Sequence, residues 1–259
     1  MRPDRPWARV LGVALSVLLA GCASGGGGMK KESAESSRQE AARVNTDLGQ
    51  QYMRQGNLEL ALEKLNKALE FDPGYVDAHT VIAVLFETIG DSAKAGEHYK
   101  RAAELKPKGG AVNNNYGWFL CRNGRAAESK AYFDRALADP FYKTPSIALS
   151  NSGACLLKAG QRTEAEATLR RALALDPNDA EALLQLASVL YEKGEYFSAR
   201  AFVQRHEGLS QARPDALLLG RNVELHLGNG EAAREYTRKL LQSFPASEQA
   251  RSLDVQPGK

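Results

Sequence analysis

Three thiols and four imidazoles are the side chains in this sequence best suited to chemistry, and their spacing narrows what they can do. His79, His98, His206 and His226 have no metal-ligand spacing with Cys or with one another, so no metal site is expected. No glycine loop cradles a phosphate ahead of a helix, and no Ser stands in a nucleophile elbow. The Asp and Glu residues are spread over polar faces, where solvation is their simplest role. The expectation is a chain that is not an enzyme, with no catalytic residue, no cofactor and no small-molecule substrate. The cysteines are the exception. Cys22 closes an apolar stretch and is preceded by the small residues Ala20 and Gly21. Cys121 and Cys155 remain as an even pair, which suits a cross-link in an oxidising compartment.

The first of these depends on the segment that carries it. Arg2, Arg5 and Arg9 form a positive start, and Val10 to Ala20 is apolar but too short to span a bilayer comfortably. The run Leu19-Ala20-Gly21-Cys22 resembles the lipobox of bacterial lipoproteins. That resemblance implies removal of residues 1–21 as a signal peptide and acylation of Cys22. Ala23 in place of Asp implies sorting to the outer membrane. Acyl chains would anchor the protein stably. Residues 22–41, with Gly25 to Gly28 and a charged, Ser-rich stretch, read as a flexible tether. Removing three arginines and Asp4 lowers the formal net charge from +3 to +1, which gives no electrostatic reason to expect nucleic acid.

The remaining cysteines depend on a repeat. Gly49, Ala83, Gly117, Gly153 and Ala187 are followed three residues later by Tyr52, Phe86, Leu120, Leu156 and Leu190, and seven later by Gly56, Gly90, Gly124, Gly160 and Gly194. Pro73, Pro107 and Pro177 close three of the units. A step of about 34 residues in a helix-forming, 43% hydrophobic chain means a stacked helical array. The pattern resembles the tetratricopeptide repeat. The expected fold is all-α, a right-handed superhelical solenoid of about six helix hairpins over 42–245, with a degenerate sixth unit and a frayed polar tail over 246–259. Small residues at three positions per unit let paired helices approach, and glycine ends the first helix in a left-handed cap.

Between units three and four the step lengthens to 36 residues. Cys121 and Cys155 therefore fall two helical positions out of phase, a rotation of about 200°. On stacked helices about 8–10 Å apart, such side chains can face each other, and a disulfide pinning unit three to unit four is expected. The alternative is two small buried hydrophobes.

The same region carries a more specific resemblance. Asn114-Asn115-Tyr116-Gly117-Trp118-Phe119-Leu120-Cys121, Gly124, Tyr132-Phe133, Ala136, Pro140, Tyr142, Asn151-Ser152-Gly153 and Cys155 look like the type IV pilus biogenesis and stability lipoproteins, the tetratricopeptide-type pilotins. The resemblance implies an outer-membrane lipoprotein on the periplasmic face. It would bind pilus secretin subunits and promote their localisation and multimerisation, and so twitching motility. The alternative is an envelope adaptor docking peptidoglycan hydrolases or proteases. The partner surface is expected on the first helices, with Val84, Asn114, Trp118 and Leu157 lining a groove, Ile147 and Thr80 beside them, and Tyr52 of unit one as a competitor. Trp118 would be an anchor and Asn114 a hydrogen-bonding partner for a client backbone. The opposing reading makes Trp118 core and the asparagines helix caps.

Overall fold

The computed structural model describes residues 26–254, with side chains over 34–253. The signal segment, the acylation at Cys22 and residues 255–259 lie outside the described residues. The helices come as consecutive hairpins: α1 (Gly26–Arg54) with α2 (Leu58–Phe71), α3 (Val76–Thr88) with α4 (Ser92–Leu105), and α5 (Gly110–Arg122) with α6 (Ala126–Leu137). They continue as α7 (Pro145–Lys158) with α8 (Arg162–Leu175), α9 (Ala180–Glu192) with α10 (Tyr196–Glu207), and α11 (Pro214–His226) with α12 (Gly230–Ser243), closed by α13 (Glu248–Asp254). Each second helix also packs on the first helix of the next hairpin, and α5, α7, α9 and α11 stand against one another in sequence. This is an all-α solenoid of tetratricopeptide type.

Local chemistry explains the hairpins. Asn57, Asp91, Asp179 and Asn229 accept the backbone N–H of Leu60, Lys94, Ala182 and Ala232, which caps four helix starts. Gly124 ends α5 at φ +78°, a left-handed conformation in which a Cβ is strained. Close approach within a hairpin needs the small residue seen in every unit. A Cβ placed on Gly153 would lie 2.6 Å from Leu169 Cδ2. Ala83 and Ala187, at the equivalent place in their units, are fully buried.

The core is not continuous in composition. One buried cluster joins the first three units through Leu65, Ile82, Leu85, Tyr116 and Leu120. Another joins units four to six through Leu149, Leu169, Leu186, Leu190 and Val223. Between them lies a small cluster of Cys121, Phe133 and Cys155, with Trp118 and Ala126 packed against it. The longer repeat step is taken up by residues 138–144. Asp139 anchors that insertion by accepting the N–H of Gly110 at 2.7 Å and of Phe141 at 2.9 Å. Those two bonds hold its carboxyl below the ordinary Asp range. Tyr142 packs on Gly110 so closely that a Cβ there would lie 2.5 Å away.

Two expectations are corrected, and the sixth unit, degenerate in sequence, is seen to be complete. The segment 22–41 is not all flexible tether, because α1 is helical from Gly26 and spans 29 residues. Arg43 bridges Glu40 at 2.5 Å and Asp47 at 3.0 Å, and Ala34, Glu35, Arg38 and Gln39 form a cleft with Phe71 and Pro73. Spaced charges of this kind support a helix that lacks an apolar stripe. The stretch 246–259 is not all frayed tail, because α13 buries Ala250 against Leu217 and Leu240. The sixth unit is a complete hairpin, with Gly228 at φ +73° and Gly220 against Tyr236.

Candidate functional site: the first-helix face around Trp118

The first helix of each unit turns one stripe away from the core, set by helical spacing. In α3 it carries Thr80, Val84 and Thr88, in α5 Asn115, Trp118 and Arg122, and in α7 Ile147, Asn151 and Lys158. In α9 it carries Gln185, Ser188 and Glu192. Side by side, these stripes form one strip. Val84 and Ile147 are 41% and 45% exposed, large for aliphatic side chains on a folded surface.

Trp118 is half-buried at the centre. One side of its indole packs on the Cys121–Phe133–Cys155 cluster. Two cations lie over the ring: Arg122 Cζ and Lys158 Nζ are each 5.6 Å from its centroid, within cation–π range. Arg122 also forms an ion pair with Glu87 of α3. The other oxygen of Glu87 accepts the hydroxyl of Tyr99 at 2.7 Å. Burial, and then that bond to Glu87, push the Tyr99 phenol well above the usual range. Arg122 thus sits on a fixed framework spanning three helices.

Beneath this lies a disulfide. Cys121 and Cys155 are joined, with Cα atoms 5.7 Å apart, across the α5–α7 seam. The Ser129 hydroxyl lies 3.1 Å from the Cys155 sulfur and donates to the Ala126 carbonyl at 2.7 Å. On the opposite face a crevice of about 520 Å³ between α6, α7 and α8 reaches Cys155, Phe133, Leu149 and Thr168.

The expected groove residues separate into two groups. Val84, Trp118 and Ile147 face outward together, with Thr80 at their edge. Asn114 does not present its amide oxygen: it is 6% exposed, and that oxygen accepts the Asn151 Nδ2 at 3.0 Å. Leu157 is half-buried against the core of units four to six, and Tyr52 against that of units one to three; both packing roles follow from the turn they flank. Trp118 reconciles the two readings of it, since one side is core and the other meets the strip. Sequence reasoning missed Arg122, Lys158, Asn151 and Gln185. The signal for the first two was the unit position they share with Thr88 and Glu192. Among the described residues no group of three or more His, Cys, Asp or Glu is placed to hold a metal ion, and no helix is long and apolar enough to cross a membrane.

Comparison with known proteins agrees with this architecture. Tetratricopeptide-repeat family profiles match residues 49–90, 83–143 and 156–219. The type IV pilus assembly protein PilF of Pseudomonas aeruginosa is 30% identical over 233 residues, covering 90% of this chain and 92% of that protein. The solved structure of PilW, a widely conserved type IV pilus biogenesis factor, superposes with a TM-score of 0.75 at 38% identity, over 83% of this chain and 98% of PilW. That of Pseudomonas aeruginosa PilF gives 0.77 at 29% identity, over 85% and 100%. With 30% identity over nearly the full length of both proteins, the chain belongs to the tetratricopeptide-repeat family of the type IV pilus assembly protein PilF.

Proposed function

We propose that this protein is a non-catalytic assembly factor that binds subunits of the pilus secretin and promotes their localisation and multimerisation in the outer membrane. It acts from the periplasmic face, held there by acyl chains on Cys22. The observation that carries the reading is the strip at Trp118, where an aromatic anchor stands with exposed Val84 and Ile147 on a framework braced by a disulfide. A solenoid braced in this way changes little on binding, so little ordering entropy opposes capture of a client segment. Acylation keeps the groove near the bilayer that the secretin must enter, which raises its effective concentration there.

The test is capture of the secretin from solubilised outer membranes by the affinity-tagged chain. Val84→Asp and Ile147→Asp, both at exposed positions, should abolish capture while leaving the thermal melt unchanged. Retained capture in both variants overturns the groove reading. Incorporation of labelled palmitate that disappears in Cys22→Ser tests the anchor separately.

A further inference from the structure

The strip has a charge pattern that its aromatic centre alone does not explain. Most of its ions are already compensated: Arg122 pairs with Glu87, Glu192 with Arg162, and Glu181 with Arg213. Lys158 is the exception. It is exposed, and among the described residues no carboxylate lies within ion-pair distance of its ammonium; the contact it makes is with the Trp118 ring. An ammonium held over an indole face keeps its charge and most of its hydrogen-bonding capacity. Beside it runs a row of amides across α5, α7 and α9. Asn151 donates to Asn114 at 3.0 Å, and Gln185 donates to Glu181 at 2.7 Å.

We propose that the groove reads a peptide segment in which a carboxylate side chain neighbours an apolar one. Lys158 pairs with the carboxylate, and Trp118 with Val84 or Ile147 packs the apolar residue. The inference rests on the assembly-factor reading in that the segment belongs to the secretin. It adds the charge sign of what is bound. A basic segment would place its cation against Arg122 and Lys158, and a purely apolar one would leave the ammonium desolvated without a partner.

The chain itself supplies the probe. Trp7 and Trp118 are its two tryptophans. The chain from Ala23 onward keeps every residue of the packed solenoid, so Trp118 is then the sole indole. Its emission is titrated with the acetylated, amidated peptide Ser-Asp-Leu-Asp-Ile-Ser and with the counterparts carrying Lys or Asn in place of Asp. The acidic peptide should shift the emission saturably, and at least about tenfold more tightly than either counterpart. Lys158→Gln should remove most of that preference, and added salt should weaken the acidic peptide alone. Equal affinity for the three peptides, a preference for the basic one, no saturable shift, or an unchanged preference in Lys158→Gln overturns the proposal. The two readings fail separately. If the secretin is captured through Val84 and Ile147 but the peptides are not distinguished, the charge inference falls and the function stands. If the acidic peptide is selected through Lys158 but no secretin is captured, the reverse holds.

Discussion

Cys121 and Cys155 face each other across the α5–α7 seam, Cα atoms 5.7 Å apart, although with an unbroken 34-residue repeat they would hold equivalent positions and point the same way. The bridge closes a separation of 34 residues, for which loop-closure entropy amounts to about 3–4 kcal/mol. It also joins the two larger core clusters at their division. The double variant Cys121→Ser/Cys155→Ser should therefore have a lower urea midpoint than the parent by an amount of that order. Reduction of the parent should reproduce the loss. Alkylation without reductant, followed by intact-mass measurement, should label neither cysteine.

Gly153 tests the close approach inside a hairpin. A Cβ there would stand 2.6 Å from Leu169 Cδ2 and 2.7 Å from Leu169 Cγ, and Leu169 is fully buried. Gly153→Ala should cost about 1–3 kcal/mol by overpacking, against the 0.5–1 kcal/mol that alanine gains over glycine in a helix. A urea midpoint lower than the parent's is expected. The converse change, Ala187→Gly, should also destabilise, by about 1 kcal/mol, because that site already accommodates the methyl group.

The scaffold could be read from the sequence because it rests on steric positions that recur. Gly49, Gly117 and Gly153 must be small for the facing Leu65, Phe133 and Leu169, and that demand repeats once per unit. The extra two residues before α7 were equally readable, since a phase slip is a count. The recognition strip was less so. Asn114 and Asn115 are adjacent and chemically identical, and only the lateral position of α7 buries one of them under Asn151. Lys158 and Arg122 meet over Trp118 from different helices, a convergence that periodicity within one helix does not encode. Apolar patterning also overlooks elements held by charge or by a single small contact. The middle of α1 is laced by Arg43 with Glu40 and Asp47, and α13 is held at its centre by Ala250.

His79 and His98 predict a pH dependence. Their Nδ1 atoms lie 3.0 Å apart, and the His79 Nε2 meets the Pro73 carbonyl at 3.1 Å. One ring must therefore donate to the other. Burial is the main cause that pushes both imidazoles below their ordinary range; the Pro73 carbonyl opposes it at His79, and His79 adds to it at His98. Arg101 and Asp72 also act on His79, and Glu97 on His98. With folded pKa values below the unfolded value of 6.5, the unfolded chain binds more protons as pH falls. Stability is complete above about pH 6.5 and declines as pH drops from there toward the folded values. The carboxylates with lowered pKa, Asp139 and Glu166, add their own loss only below the ordinary carboxylate range. Urea midpoints should fall between pH 7.5 and pH 5.5, and His98→Gln should flatten that slope. A slope unchanged in His98→Gln would assign the effect elsewhere.

The C-terminal end makes the last prediction, because a solenoid must stop without leaving its apolar face open. In this chain α13 does the stopping with seven residues. Ala250 is 1% exposed and, with Leu253, covers Leu217, Leu240 and Phe244. The Ser247 hydroxyl oxygen accepts the Ala250 N–H at 3.1 Å, so the start of the helix is fixed where the apolar contact begins. Ala250→Asp places a charge against the apolar side chains of Leu217 and Leu240. It should detach α13 and expose the last hairpin. The expected result is concentration-dependent self-association in light scattering, with the helical signal of the rest of the array retained. Deleting residues 248–259 should do the same, and a monomeric deletion variant with an unchanged melt would show that the hairpin of α11 and α12 closes the solenoid unaided.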